Sequence, residues 1–207
     1  MTIFVRSVTL AAMMGLALPA IAQEAAPETT QGEAAQTTPQ DAPKVPEPYV
    51  KETFGDWELR CVKLAEDKPE SCQLYQLLKD KQTGNPIMEI TMIALPQAKD
   101  APKDQPAPIA GATVIVPLET LLTQKLNITV DNSEQTRRFD FTFCAEVGCV
   151  ARIGLTKEDV DAFRRGKVAT ISVVPVANPN VTVDVDLSLN GFTAGFEAVS
   201  KANAAQQ

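Results

Sequence analysis

Nine consecutive residues alternate strictly: Val181, Val183, Val185, Leu187 and Leu189 share one face of an extended chain, and Thr182, Asp184, Asp186 and Ser188 share the other. One apolar face and one wet face per segment is the pattern of an antiparallel strand packed on one side only. Thr136 to Phe143 repeats it, with Phe139, Phe141 and Phe143 expected inward and Arg138, Asp140 and Thr142 outward. Leu126, Ile128 and Val130 alternate with Asn127 and Thr129 in the same way. Further candidate strands are Asp56 to Lys63, Cys72 to Lys79, Ile87 to Leu95, Ala112 to Pro117 and Val168 to Val174, with Thr83 to Pro86 as a hairpin turn. The fold class expected from these segments is all-β, an antiparallel β-sandwich-like domain with one or two short helices.

The better helix runs from Thr156 to Arg165. Thr156 is its N-cap with Asp159 three residues on, Val160 and Phe163 form the buried stripe, and Gly166 ends it. Arg164, Arg165 and Lys167 complement its C-terminal dipole and need no ligand to explain them. Phe192, Phe196 and Val199 recur at helical spacing and predict a short C-terminal helix over one end of the core. Leu95 to Gly111 breaks the strand pattern with Pro96, Pro102, Pro106 and Pro108 among charged residues, which makes it a candidate interaction loop.

Before the domain lie two segments of other character. Residues 1–22 read as a secretory signal peptide, with Arg6, an apolar run from Val8 to Leu18 and the small-x-small element Ala20-Ile21-Ala22. That run is too short to span a bilayer, and no later segment is long enough, which leaves room for peripheral membrane association only. Residues 23–48 hold five prolines and five acids without an aromatic and read as a disordered linker. The domain is expected over 49–200, with a disordered tail at 201–207.

Export puts Cys61, Cys72, Cys144 and Cys149 in an oxidising compartment, where an even number favours disulfides. Three connectivities exist. Local pairing, 61–72 and 144–149, is favoured because the first two cysteines sit on consecutive candidate strands and the second two enclose a short turn with Gly148. Redox catalysis would want C-x-x-C at a helix start, and a four-thiolate zinc site two close knuckles; neither spacing is present.

Composition removes several activities. The 207 residues include no histidine, which excludes Ser-His-Asp and Cys-His catalysis and histidine-ligated metal. A net charge of −7 argues against nucleic acid as a partner. Asp184 and Asp186, two apart on one strand face, are the best carboxylate pair for a hydrolase, but one Trp and two Tyr leave little to stack a sugar on. Trp57 alternates with Leu59 and Cys61 and is expected in the core. The chain is expected to be non-enzymatic, with no cofactor, no metal and a protein partner.

Three stretches in order carry a family resemblance. Phe54-Gly55-Asp56-Trp57 followed by Cys61 and Cys72, then Phe143-Cys144-Ala145-Glu146-Val147-Gly148-Cys149-Val150-Ala151, then Leu187-Ser188-Leu189-Asn190-Gly191-Phe192-Thr193-Ala194-Gly195-Phe196 resemble the invasion-associated locus B family. The resemblance implies an exported Gram-negative bacterial protein with a β-sandwich-like domain, periplasmic or on the cell surface, associated with virulence and lacking a catalytic residue set. Acting through protein contacts is the expectation; a periplasmic assembly factor or holdase and a carboxylate-dependent hydrolase are the alternatives.

Overall fold

The computed structural model describes residues 46–63, 69–96 and 107–204. The signal peptide, most of the linker, the middle of the Leu95 to Gly111 loop and the last three residues lie outside them. Chain order is β1 (Tyr49–Phe54), β2 (Trp57–Val62), β3 (Ser71–Lys79), β4 (Pro86–Ala94), β5 (Ala110–Val116), a single 3-10 turn (Leu122–Gln124), β6 (Leu126–Val130), β7 (Thr136–Phe139), β8 (Phe143–Ala145), β9 (Gly148–Leu155), α1 (Lys157–Arg165), β10 (Val168–Val173), β11 (Val183–Ser188) and α2 (Phe192–Ala204). They form two antiparallel sheets, β1-β2-β3-β4-β5-β9-β8 and β11-β10-β6-β7, as the alternating segments require.

Apart from the edge strands β1, β7 and β8, the strands turn buried apolar side chains between the layers. Trp57, Leu59, Leu74, Leu78, Ile90, Met92, Val114 and Ile153 from the large sheet meet Leu126, Ile128, Ile171, Val185 and Leu187 from the small one, all buried. Both helices close this same side: α1 contributes Val160 and Phe163, and α2 contributes Phe192, Phe196 and Val199. Phe192 lies at the centre of an aromatic cluster, with ring centroids 5.5 Å from Trp57, 5.4 Å from Phe163 and 5.6 Å from Phe196. Thr156 and Asp159 form the reciprocal capping box that the sequence predicts.

Two buried polar contacts join the layers. Gln76 faces inward from β3, where its amide oxygen accepts from the Ser188 N–H and its amide nitrogen donates to the Ser188 carbonyl, both at 2.9 Å. The side chain thus imitates a peptide group and pairs one sheet with the other. Trp57 Nε1 donates to that same carbonyl at 2.9 Å. Alongside, the turn into β2 and the turn into α2 interlock. Gly55 and Gly191 both have left-handed φ, +57° and +86°, and a Cβ on Gly191 would come 2.0 Å from the Phe54 carbonyl oxygen. The Asp56 N–H donates to the Asn190 carbonyl at 3.2 Å, and Ser188 Oγ donates to the Asp56 carboxylate at 2.6 Å. The first and last of the three signature stretches are therefore one clasp.

Several expectations need correction. Thr136 to Phe143 is not one strand: β7 stops at Phe139 in the small sheet, and Phe143 starts β8 at the edge of the large one. Phe139 and Phe141 pack on the core while Phe143 turns outward, because the chain crosses between layers at Asp140. Val181 lies outside β11 and is exposed. β1 and β9 were not among the candidate strands. Ala110 and Gly111 belong to β5 rather than to the proline-rich loop, whose flanks are tied by the Leu95 N–H to the Ile109 carbonyl at 2.9 Å. Residues 201–204 continue α2 instead of forming tail: Ala202 packs on the core and Asn203 Nδ2 donates to the Cys72 carbonyl at 3.0 Å.

Candidate interaction surface

With both helices and the small sheet on one side, no other described element of secondary structure packs on the opposite face of the seven-stranded sheet. Strand register lays two rows across it. One is Tyr75, Thr91, Thr113 and Arg152; the next is Leu77, Glu89, Ile115, Val150 and Phe143. Leu77, Ile93 and Phe143 remain 43%, 40% and 45% exposed, values well above those of core side chains of their size. A shallow groove of about 410 Å³ runs along Gln73, Ile93, Gly111, Thr113, Arg152 and Gly154. Gly111 and Gly154 are cross-strand partners and contribute no side chains to it, and the Leu95 and Pro108 side chains lie next to them.

Tyr75 is the best-fixed group on this face. The Arg60 guanidinium lies 3.3 Å over its ring, the Tyr75 hydroxyl donates to Glu89 Oε2 at 3.0 Å, and Glu58 accepts from Arg60 Nε at 2.8 Å. Burial, reinforced by the hydrogen bond to Glu89, raises the phenol above its ordinary value, so it is neutral at physiological pH. Tyr75 is itself buried beneath Arg60, so what the group presents outward is the half-exposed arginine and the apolar side chains next to it, residue types found at protein–protein hot spots. At the far end, Val147 projects from the β8–β9 turn, 74% exposed. The Cys144–Cys149 disulfide closes that turn, and the pair sits directly opposite in the strand register. Arg152 lies 5.8 Å from the Phe143 ring centroid beside it.

The residues marked out in the sequence fall elsewhere. Cys61 is bonded to Cys72, again as direct partners in adjacent strands, and both are core residues. Glu70 lies close to both sulfurs, but sulfurs joined to each other offer no thiolate to a metal. Asp186 is held by Lys81 at 2.7 Å and lines an open groove with Asp131, Lys167 and Thr170, while Asp184 is not part of that lining, so the two carboxylates do not face one site together. Arg164 pairs with Asp161 at 3.7 Å and covers Phe196, as helix-end charges do. Trp57 is fully buried. The sequence carried no signal for Tyr75 and Arg60 as a stacked pair, since that contact spans two strands whose register is set only by folding.

A family model described as Invasion associated locus B (IalB) protein matches residues 57–200. The crystal structure of invasion associated protein B from Bartonella henselae is similar in fold, with a TM-score of 0.57 at 20% identity, covering 75% of this chain and 96% of that one. A comparison with curated proteins gives no match. The antiparallel layers and the two disulfides fit this result. The chain belongs to the invasion-associated locus B family.

Proposed function

We propose that this chain is an exported envelope protein that acts without catalysis, by holding a protein partner on the face of its seven-stranded sheet that points away from the helices. The observation that carries the reading is the exposure of Leu77, Ile93 and Phe143 on one face, the first two beside the Arg60–Tyr75–Glu89 group and Phe143 four strands further along the same row. The β8–β9 turn adds Val147 at one end, and its disulfide lowers the entropy lost when a partner docks there. The two disulfides and the family membership fit an extracytoplasmic location. A role in contact with host cells follows from the family's name and belongs to the same proposal.

Photo-cross-linking residues placed at Leu77, Ile93 or Phe143 in the native cells test it, with Asn127 and Thr170 on the outer face of the small sheet as controls. Defined adducts from the first set alone, on a processed chain in an extracytoplasmic fraction, are expected. Absence of adducts, equal adducts from both sets, or an unprocessed cytosolic chain would overturn the reading. The same exposed side chains favour a holdase as second reading. A holdase suppresses aggregation of unrelated unfolded proteins and binds a hydrophobic dye strongly, whereas a chain built for one partner does neither.

A further inference from the structure

A separate cavity opens between the small sheet and α1, away from the face described above. Its floor is Ile128, Leu155 and Phe163, each nearly fully buried, with Val130, Phe139 and Ala162 completing the apolar wall. Its volume is about 130 Å³. The space is partly open to solvent, with its apolar part at the floor and its polar groups at the mouth. Apolar cavities of about 150 Å³ stay dry and accept a benzene ring.

The mouth is polar and well fixed. Arg137 from β7 reaches Asp159 at 3.3 Å, and Asp159 is immobilised by accepting from the Thr156 N–H and hydroxyl at 2.9 and 3.0 Å. Glu158 stands beside them. Because Arg137 and Asp159 offset each other, Glu158 leaves the rim with an excess of negative charge that disfavours an anion. Ala162 lies one helical turn beyond Glu158 and Asp159 on the same face of α1, and its small side chain is what keeps the space open.

We propose that this cavity is a binding site for one uncharged aromatic or branched-aliphatic group of about the size of a benzene ring. The group enters past the Arg137–Asp159 pair and packs on Phe139 and Phe163. Benzyl alcohol is the probe, added to the oxidised chain while the methyl signals of Ile128, Val130 and Leu155 are followed by NMR. Saturable shifts confined to those methyls are expected, with benzoate binding at least tenfold more weakly. Ala162→Leu fills the space and is expected to weaken benzyl alcohol at least tenfold while far-ultraviolet circular dichroism is unchanged. If that variant does not fold, Ala162→Val gives the same reading with a smaller added volume. No saturable shift at the three methyls, undiminished binding to a folded filled variant, or benzoate binding as tightly as benzyl alcohol would overturn the site as described.

Discussion

At the scale of single residues, the two sheets depend on groups whose value lies in where they make hydrogen bonds. Gln76 is nearly fully buried and satisfies both the N–H and the carbonyl of Ser188. Gln76→Leu keeps the volume but leaves the Ser188 N–H without that acceptor, so a loss of about 1–3 kcal/mol is expected in urea unfolding. Gly191→Ala should cost more than about 2 kcal/mol or prevent folding, since a left-handed backbone and a Cβ 2.0 Å from a carbonyl oxygen are both penalised. A third residue makes a pH prediction. Backbone N–H groups of Val168 and then Lys167 donate to Asp131 and hold its carboxyl below the ordinary value. The unfolded chain therefore binds this proton more readily. Asp131 contributes stability that is fully present above the ordinary carboxylate value and is lost as pH falls through its lower folded value. Wild type should exceed Asp131→Asn in thermal stability at about pH 6, with the gap closing below about pH 4 as the unfolded carboxylate protonates.

At the scale of elements, the strand alternation revealed the segments that have one dry and one wet face, and little else. β2, β6 and β10 were visible because every second residue is buried. β9 was not, because Val150 is buried on the outer face and the run from Gly148 to Ala151 shows no alternation at all. β1 is an edge strand exposed on nearly every residue, held by pairing to β2, so no apolar periodicity marks it. The crossing at Asp140 leaves no mark in the sequence for a different reason: a period of two persists whether or not a strand changes sheet. Gln76 sits in a run that reads as an ordinary strand, and only the partner layer reveals its purpose. The cysteines, by contrast, pair as their spacing favoured, and each bond spans neighbours in register. Loop-closure entropy predicts about 3 kcal/mol lost on removing the Cys61–Cys72 bond and about 2 kcal/mol for Cys144–Cys149. Paired alanine variants compared by urea midpoint should keep that order; a larger loss at 144–149 would mean that β8 depends on its disulfide for more than closure.

For the whole molecule, the placement of both helices decides what the surface can do. α1 and α2 join the small sheet on one side of the large sheet, so the apolar residues on the remaining side are left to solvent or to a partner. If those residues served the fold, replacing them with charge would destabilise it. If they serve a partner, the fold should hardly notice. Leu77→Lys combined with Ile93→Lys is expected to change unfolding free energy by less than about 1 kcal/mol, because both positions already contact water. The same double variant, carrying a photo-cross-linker at Phe143, should lose the adduct seen with the parent chain, since buried lysine charges at the centre of an interface cost much of its affinity. Stability retained with the adduct lost assigns these side chains to recognition. Stability lost with the adduct retained would assign them to packing, and would move the search for the partner's contact to the rim formed by the β8–β9 turn.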